Sequence, residues 1–198
     1  MHLFTNTTSP FARIVRIALR EKGLTDTEER IVNPWADDAG LMAANSAARV
    51  PVLVTDNNEN LSESLLILLW LEKQFPFPAL LAGNIANALQ VSGIAFGVLE
   101  AAVHSLVGRV ICGPAFDDAP VGLRRRRTIL TGLQQLEENP PEYTDGLPDL
   151  SAILAVVTLD YVFFRFAEQS WLKQFPRLNK LKERLSNRAS FKETFPFV

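Results

Sequence analysis

Cysteine is nearly absent from this chain. Of 198 residues only Cys112 carries a thiol, which excludes a disulfide framework, and with two histidines beside it there is little from which to build a metal site. A surplus of one charge is missing too. Twenty Lys and Arg against 22 Asp and Glu leave a formal charge of -2, which argues against the basic surface of a nucleic-acid binder. Uninterrupted apolar runs are short: Leu65 to Leu71, among the longest, falls well below the roughly 20 residues of a membrane span. Met1-His2-Leu3-Phe4 passes at once into polar residues, unlike a secretory leader. These absences lead us to expect a soluble, cytoplasmic chain with neither membrane nor nucleic-acid partner. What is present is 47% hydrophobic, 21% charged and 9% aromatic residues, enough for a packed core.

Proline divides the chain. Phe75-Pro76-Phe77-Pro78 follows a helical segment that two prolines so close together cannot continue, since each lacks an N–H and restricts the residue before it. This places one domain at 1–76 and a second at 83–198. In the first, short apolar strands alternate with helical patterns: Leu3 to Thr5, helix Pro10 to Lys22, Glu29 to Val32, a short helix near Leu41, Val52 to Thr55, helix Glu63 to Lys73. In the second, Asn84 to Ile111, Val121 to Glu138, Leu150 to Ala167 and Arg177 to Ser186 all read as helices. The expected fold is therefore α+β in two domains, an α/β half followed by an all-α helical half.

The helix Pro10 to Lys22 is marked at both ends. Phe11, Ile14, Val15, Ala18 and Leu19 fall on one face, which is expected to be core, with Arg13, Arg16 and Arg20 pointing elsewhere. Pro10 suits the first helical position, and Gly23 suits the left-handed residue after the end.

Three segments can carry chemistry. Thr7-Thr8-Ser9-Pro10 sets three hydroxyls before that helix, where free N–H groups and the helix dipole favour an anion, although Ser9 taken alone reads as a plain N-cap. Arg49-Val50-Pro51-Val52 puts a proline at the start of a strand. A cis Val50–Pro51 bond would turn Val50's backbone outward, free to pair with a bound peptide. Leu61-Ser62-Glu63-Ser64 opens the next helix, and the Ser64 N–H and hydroxyl can face a carboxylate there, or serve only as a cap.

Taken in order, Ser9-Pro10-Phe11 with Arg16, Arg49-Val50-Pro51-Val52-Leu53 and Glu63-Ser64-Leu65-Leu66-Ile67 resemble the successive signatures of glutathione S-transferases. Gly146-Leu147-Pro148-Asp149-Leu150-Ser151-Ala152, Leu159-Asp160-Tyr161 with Phe164-Arg165-Phe166, and Arg188-Ala189-Ser190-Phe191 resemble the C-terminal pattern of bacterial members. The resemblance implies a thioredoxin-like first domain that binds glutathione as co-substrate, a helical second domain on the side of a small hydrophobic electrophile, and a homodimer. The implied reaction lowers the pKa of the glutathione thiol so that its thiolate attacks the electrophile. A glutathione-dependent peroxidase, an isomerase working through a glutathione adduct, and a binding or regulatory module without turnover remain open on the same scaffold.

By this resemblance Ser9 is the activating hydroxyl, with Thr8 as runner-up, because classes differ by one position there. The implied glutathione contacts are Phe11, Arg49, Val50, Pro51, Glu63 and Ser64. Val50's backbone would meet the cysteinyl unit, Glu63 and Ser64 the γ-glutamyl end, and Arg49 either the glycyl carboxylate or only solvent. No cysteine stands at the site, and Cys112 reads as an inert packed residue. Asp149 lacks the acidic partner that relatives carry three residues on, which predicts a cap without its reciprocal bond. Arg124 to Arg127 surround their helix instead of forming one basic face. His104 reads as a partly buried helix residue, and Tyr161, Phe163, Phe164 and Phe166 as core, one of them available to line the electrophile pocket.

Overall fold

Leu3 and Phe4 form the buried centre of the first strand, β1 (His2–Thr5), which runs parallel to β2 (Glu28–Ile31) and antiparallel to β3 (Val52–Val54). The computed structural model describes residues 1–144 and 146–197. A fourth strand, β4 (Asn60–Ser62), completes the sheet in the order β2-β1-β3-β4, with Leu53 opposite Leu61. The sequence pattern predicts no strand there and reads Leu61-Ser62 as part of the opening of the next helix. The three residues of β4, Asn-Leu-Ser, are too few and too polar to show an alternating pattern, and the strand forms because β3 offers it a ladder.

Helix α1 (Pro10–Glu21) follows β1. Ser9 is its N-cap, Pro10 occupies its first turn, and Gly23, at φ 73°, ends it in the left-handed region. Ile14, Val15, Ala18 and Leu19 are buried as expected, but Phe11 is only half-buried. Arg13 and Arg16 are buried too, at 3% and 7% exposure, contrary to the expectation that they point elsewhere. The reason is long-range. Arg16 meets Glu29 of β2, and Arg13 meets the chain's last residues. A short helix α2 (Ala39–Ala44), capped by Asp38, and α3 (Ser64–Gln74) complete this part of the fold.

The compact units are Met1–Leu80 together with Asn187–Val198, and Leu81–Ser186. The division expected at 76 and 83 thus differs at the far end, where residues after 186, with the short helix α8 (Ala189–Lys192), join the first unit. The second unit holds α4 (Ile85–Cys112), a 3-10 turn at Pro114–Asp118, α5 (Pro120–Glu138), α6 (Leu150–Phe166) and α7 (Pro176–Leu185). Its core is α6, buried without a break from Leu150 to Val162 and packed against α4. Asp149 Oδ1 accepts the Ala152 N–H at 2.9 Å, so the cap survives without its reciprocal partner.

By length and composition α4 is apolar enough to cross a membrane, a property hidden from a search for uninterrupted apolar runs by its glycines and serines. Here it packs against α5 and α6 as a bundle helix. Cys112 at its end is exposed, and so is His104; neither is packed as expected. Val110 and Ile111 are exposed beside Cys112, although the 3-10 turn packs against the same end of α4. Tyr161 and Phe166 are core, whereas Phe163 and Phe164 are only half-buried. Of the four arginines, Arg124 and Arg127 are exposed, and Arg126 turns back to the Asp117 carbonyl at 3.0 Å.

Candidate glutathione site of the first unit

The loop from β1 to α1 is organised by Asn6. Its Nδ2 donates to the Val32 carbonyl at 3.0 Å, anchoring the loop to the residue after β2. Its Oδ1 accepts both the Thr8 N–H at 3.0 Å and the Thr8 hydroxyl at 2.8 Å. Sequence reasoning passed over Asn6. The available signal was an Asn two residues before a threonine, the spacing of a turn closed by a side-chain carbonyl.

The two candidate hydroxyls consequently differ in chemical state. Thr8 has already directed its proton to Asn6. Ser9 Oγ instead accepts the Ala12 N–H at 3.2 Å, which uses a lone pair and leaves its own proton to donate. Both the cap reading and the hydroxyl-donor reading of Ser9 therefore fit one geometry.

The Val50–Pro51 peptide is cis, the condition set by the sequence. Among the described residues, Val50's N–H and C=O enter no hydrogen bond with the chain, and Pro51 is buried directly before β3. Arg49's carbonyl is taken by Asn45 Nδ2 at 3.0 Å. The segment is thus held on one side of Val50 and begins the ladder on the other.

Glu63 stands at φ 67°, ψ 119°, a region that costs a non-glycine residue roughly 1–3 kcal/mol and is found mainly at functional positions. It is the N-cap of α3 but makes no capping bond with its side chain. The carboxylate is turned instead to Arg49 Nη2 at 2.6 Å, both side chains being exposed. The first N–H groups of the 11-residue α3 are therefore left open, with Ser64 buried at the same end. The sheet brings these parts together: β1 leads to Ser9, the adjacent β3 follows Val50 and Pro51, and β4, paired with β3, leads into Glu63 and Ser64. Phe11, one turn into α1, is half-buried. A groove of about 340 Å³ between α4 and α5, lined by Gly93, Gly97, Arg127 and Gly132 among others, contains none of these residues.

Residues 8–74, which contain every candidate residue, match the model of the glutathione S-transferase N-terminal domain. The GST-like protein YibF of Escherichia coli K12, itself uncharacterized, is 32% identical over 99% of this chain and 98% of its own length. A glutathione S-transferase from Methylobacterium radiotolerans, solved with glutathione sulfonate, superposes with a TM-score of 0.89 at 32% identity, covering 100% of this chain and 95% of that one. A glutathione transferase family member from Pseudomonas fluorescens Pf-5, solved with glutathione, gives 0.86 at 27% identity over 100% and 99%. Over 48% of this chain and 47% of its own, a maleylacetoacetate isomerase from Pseudomonas aeruginosa is 36% identical. With the signatures in order along the chain, a thioredoxin-like unit that carries them and a helical unit after it, the protein belongs to the glutathione S-transferase family.

Proposed function

We propose that this protein is a cytoplasmic, homodimeric glutathione transferase that activates the glutathione thiol through Ser9 and conjugates it to small hydrophobic electrophiles. One observation carries the choice of hydroxyl: the Thr8 proton is committed to Asn6, whereas Ser9 accepts an N–H and keeps its proton to give. The glutathione complexes of the Methylobacterium and Pseudomonas proteins support the choice of co-substrate.

The residues present fit the tripeptide. Val50's free N–H and C=O can pair with the cysteinyl unit in the manner of an added strand, with Pro51 fixing where that strand begins. The open N-terminus of α3 and the Ser64 hydroxyl suit the γ-glutamyl carboxylate, and the Glu63 carboxylate suits the neighbouring amine. Arg49 holds Glu63 in place and can share its charge with the glycyl carboxylate. Phe11 supplies apolar surface beside Ser9.

The energy required is within reach of these parts. A free thiol titrates near pH 8.5, and lowering it by about two units takes roughly 2.7 kcal/mol of preference for the thiolate. A hydrogen bond to a charged group supplies about 1.5–3 kcal/mol and a helix N-terminus about 0.3–1. The thiol proton leaves to water, and the Ser9 O–H donates to the sulfur. The sulfur electron pair forms the C–S bond as the leaving group departs with its own pair. With an organic hydroperoxide the same thiolate attacks oxygen, and a second glutathione completes the reduction.

Retention on immobilised glutathione, together with turnover of an aryl halide that Ser9→Ala reduces by at least tenfold, is the expected result. Retention without turnover of aryl halides, hydroperoxides or cis-unsaturated diketo acids would leave a binding module and overturn the enzymatic reading. The exposed Leu66 and Leu69 of α3 support the homodimer, which sedimentation of the native chain tests.

A further inference from the structure

The last residues return to the first unit through the polar side chains of α1. Both oxygens of Glu21, whose side chain is 5% exposed, are engaged by Arg188, through Nε at 2.8 Å and Nη2 at 2.6 Å, and the Ser190 hydroxyl donates to one of them as well. Arg20 donates to Glu193 at 3.0 Å and to Glu29 at 2.6 Å. These bonds dock α8 on the end of α1 farthest from Ser9. A second group lies close to Ser9. The Arg13 N–H donates to the Ser9 carbonyl at 3.0 Å, and its guanidinium reaches the C-terminal segment, donating to the Phe191 carbonyl and to Thr194 Oγ1, each at 3.5 Å. The Phe191 and Phe195 ring centroids lie 6.0 and 5.4 Å from it.

The bonds to Glu21 already join α8 to the far end of α1, and the Arg13 contacts add a second attachment at the end that Ser9 caps. An aliphatic side chain would pack against two phenylalanine rings without the desolvation cost of a guanidinium at 3% exposure. What the guanidinium adds is direction: two long hydrogen bonds of 3.5 Å and a cation set over two rings together orient the helix turn that carries it. That turn is the one Ser9 caps.

Resting on the reading of Ser9 above, we infer that residues 187–197 form a clamp that positions the first turn of α1, with Arg13 as the positioning residue that keeps the Ser9 hydroxyl aimed. The clamp acts through main-chain geometry and touches no substrate. A family member cut before residue 187 would keep every candidate glutathione contact and lose the aim of the hydroxyl.

Three variants of the full chain test this: Arg13→Met, which keeps volume and removes the directed bonds, Arg13→Lys as the conservative replacement, and Phe195→Ala at a ring that is 48% exposed. Two readouts are needed, amide hydrogen exchange at Ala12, whose N–H reports the cap, and the pKa of the bound glutathione thiol. Arg13→Met is expected to speed exchange at Ala12 about tenfold, with exchange in β1 and β3 unchanged, and to raise the thiol pKa by about one unit. Arg13→Lys should recover part of both, and Phe195→Ala should move both in the same direction by less. Lowered melting temperature with unchanged Ala12 exchange and thiol pKa would make the clamp merely structural and overturn the inference. If the native protein shows no lowered thiol pKa, the reading of Ser9 fails, and the Ala12 exchange alone then decides whether the clamp exists. Should Arg13→Met not fold, Phe195→Ala decides on the same two readouts.

Discussion

Lys22 offers the most demanding test of how the first unit is held together. Its ammonium is 0% exposed and makes an ion pair with Glu72 at 2.5 Å, while donating to the carbonyls of Phe75 at 2.8 Å and Pro78 at 2.9 Å. One cation thus ties the end of α1 to the last turn of α3 and to the proline-bearing segment that leaves it. Lys22→Met fills nearly the same volume but takes the ammonium away from two carbonyls and from a carboxylate that keeps the Leu80 N–H at 3.1 Å. Removing one partner of a buried pair costs about 3–5 kcal/mol, and Glu72, at 17% exposure, recovers only part of its hydration. In urea, with a slope of about 2 kcal/mol per molar, the midpoint should fall by roughly 1.5–2.5 M with little change in slope. Glu72→Leu combined with Lys22→Met should be less destabilised than the two single changes summed, because no charge is then left unpaired. A midpoint shift below about 0.5 M for Lys22→Met, equal to about 1 kcal/mol on the same slope, would refute the reasoning.

Other expectations follow from the packing of both units. A Cβ on Gly132 would lie 2.3 Å from Val98 Cγ2, whereas one on Gly93 would meet nothing within 4 Å; Gly132→Ala should cost about 1–3 kcal/mol in chemical denaturation, and Gly93→Ala should gain up to about 1. Burial, with Arg30 nearby, lowers the His2 pKa below its ordinary value. The unfolded chain therefore binds that proton more readily than the folded one, so stability should decline as pH falls through the unfolded value near 6.5 and level off below the folded one. His2→Gln should flatten this part of the urea midpoint against pH, and an unchanged profile would contradict the assignment. Asp149→Ala should lower stability by about 1 kcal/mol through loss of the α6 cap, with the bound thiol pKa unmoved.

Much of this was legible in the residues themselves because the informative positions are local. Ser9, Pro10 and Gly23 mark the ends of α1 through backbone chemistry that needs no knowledge of the rest of the fold. The double proline after α3 and the long helical patterns beyond it gave the two-part organisation in the same way. What escaped was decided at long range. Arg13 and Arg16 look like a solvated face in a helical projection, and only β2 and the returning C-terminus bury them. Residues 187–198 read as the end of the helical half, because nothing local says that Arg188 will find Glu21.

The candidate site divides along the same line. Glu63 and Ser64 were recognisable as a helix start, and Val50–Pro51 as a strand opening. The left-handed backbone at Glu63 and its ion pair with Arg49 were not, because both depend on how β4 meets α3. The preference for Ser9 over Thr8 that we propose has no counterpart in the sequence pattern either. That proposal rests on Asn6, whose side chain spans from Val32 to Thr8, a connection no local pattern reveals.

The central claim is that Ser9 donates to the glutathione sulfur. Ultraviolet absorbance of the bound thiolate, followed as pH is raised for the native protein, Ser9→Ala and Thr8→Ala, tests it without a choice of electrophile. The account predicts a bound thiol titrating well below its free value near 8.5, raised by about 1–2 units in Ser9→Ala and nearly unchanged in Thr8→Ala. A bound thiol with an unshifted pKa, or one that Thr8→Ala restores and Ser9→Ala does not, would contradict it.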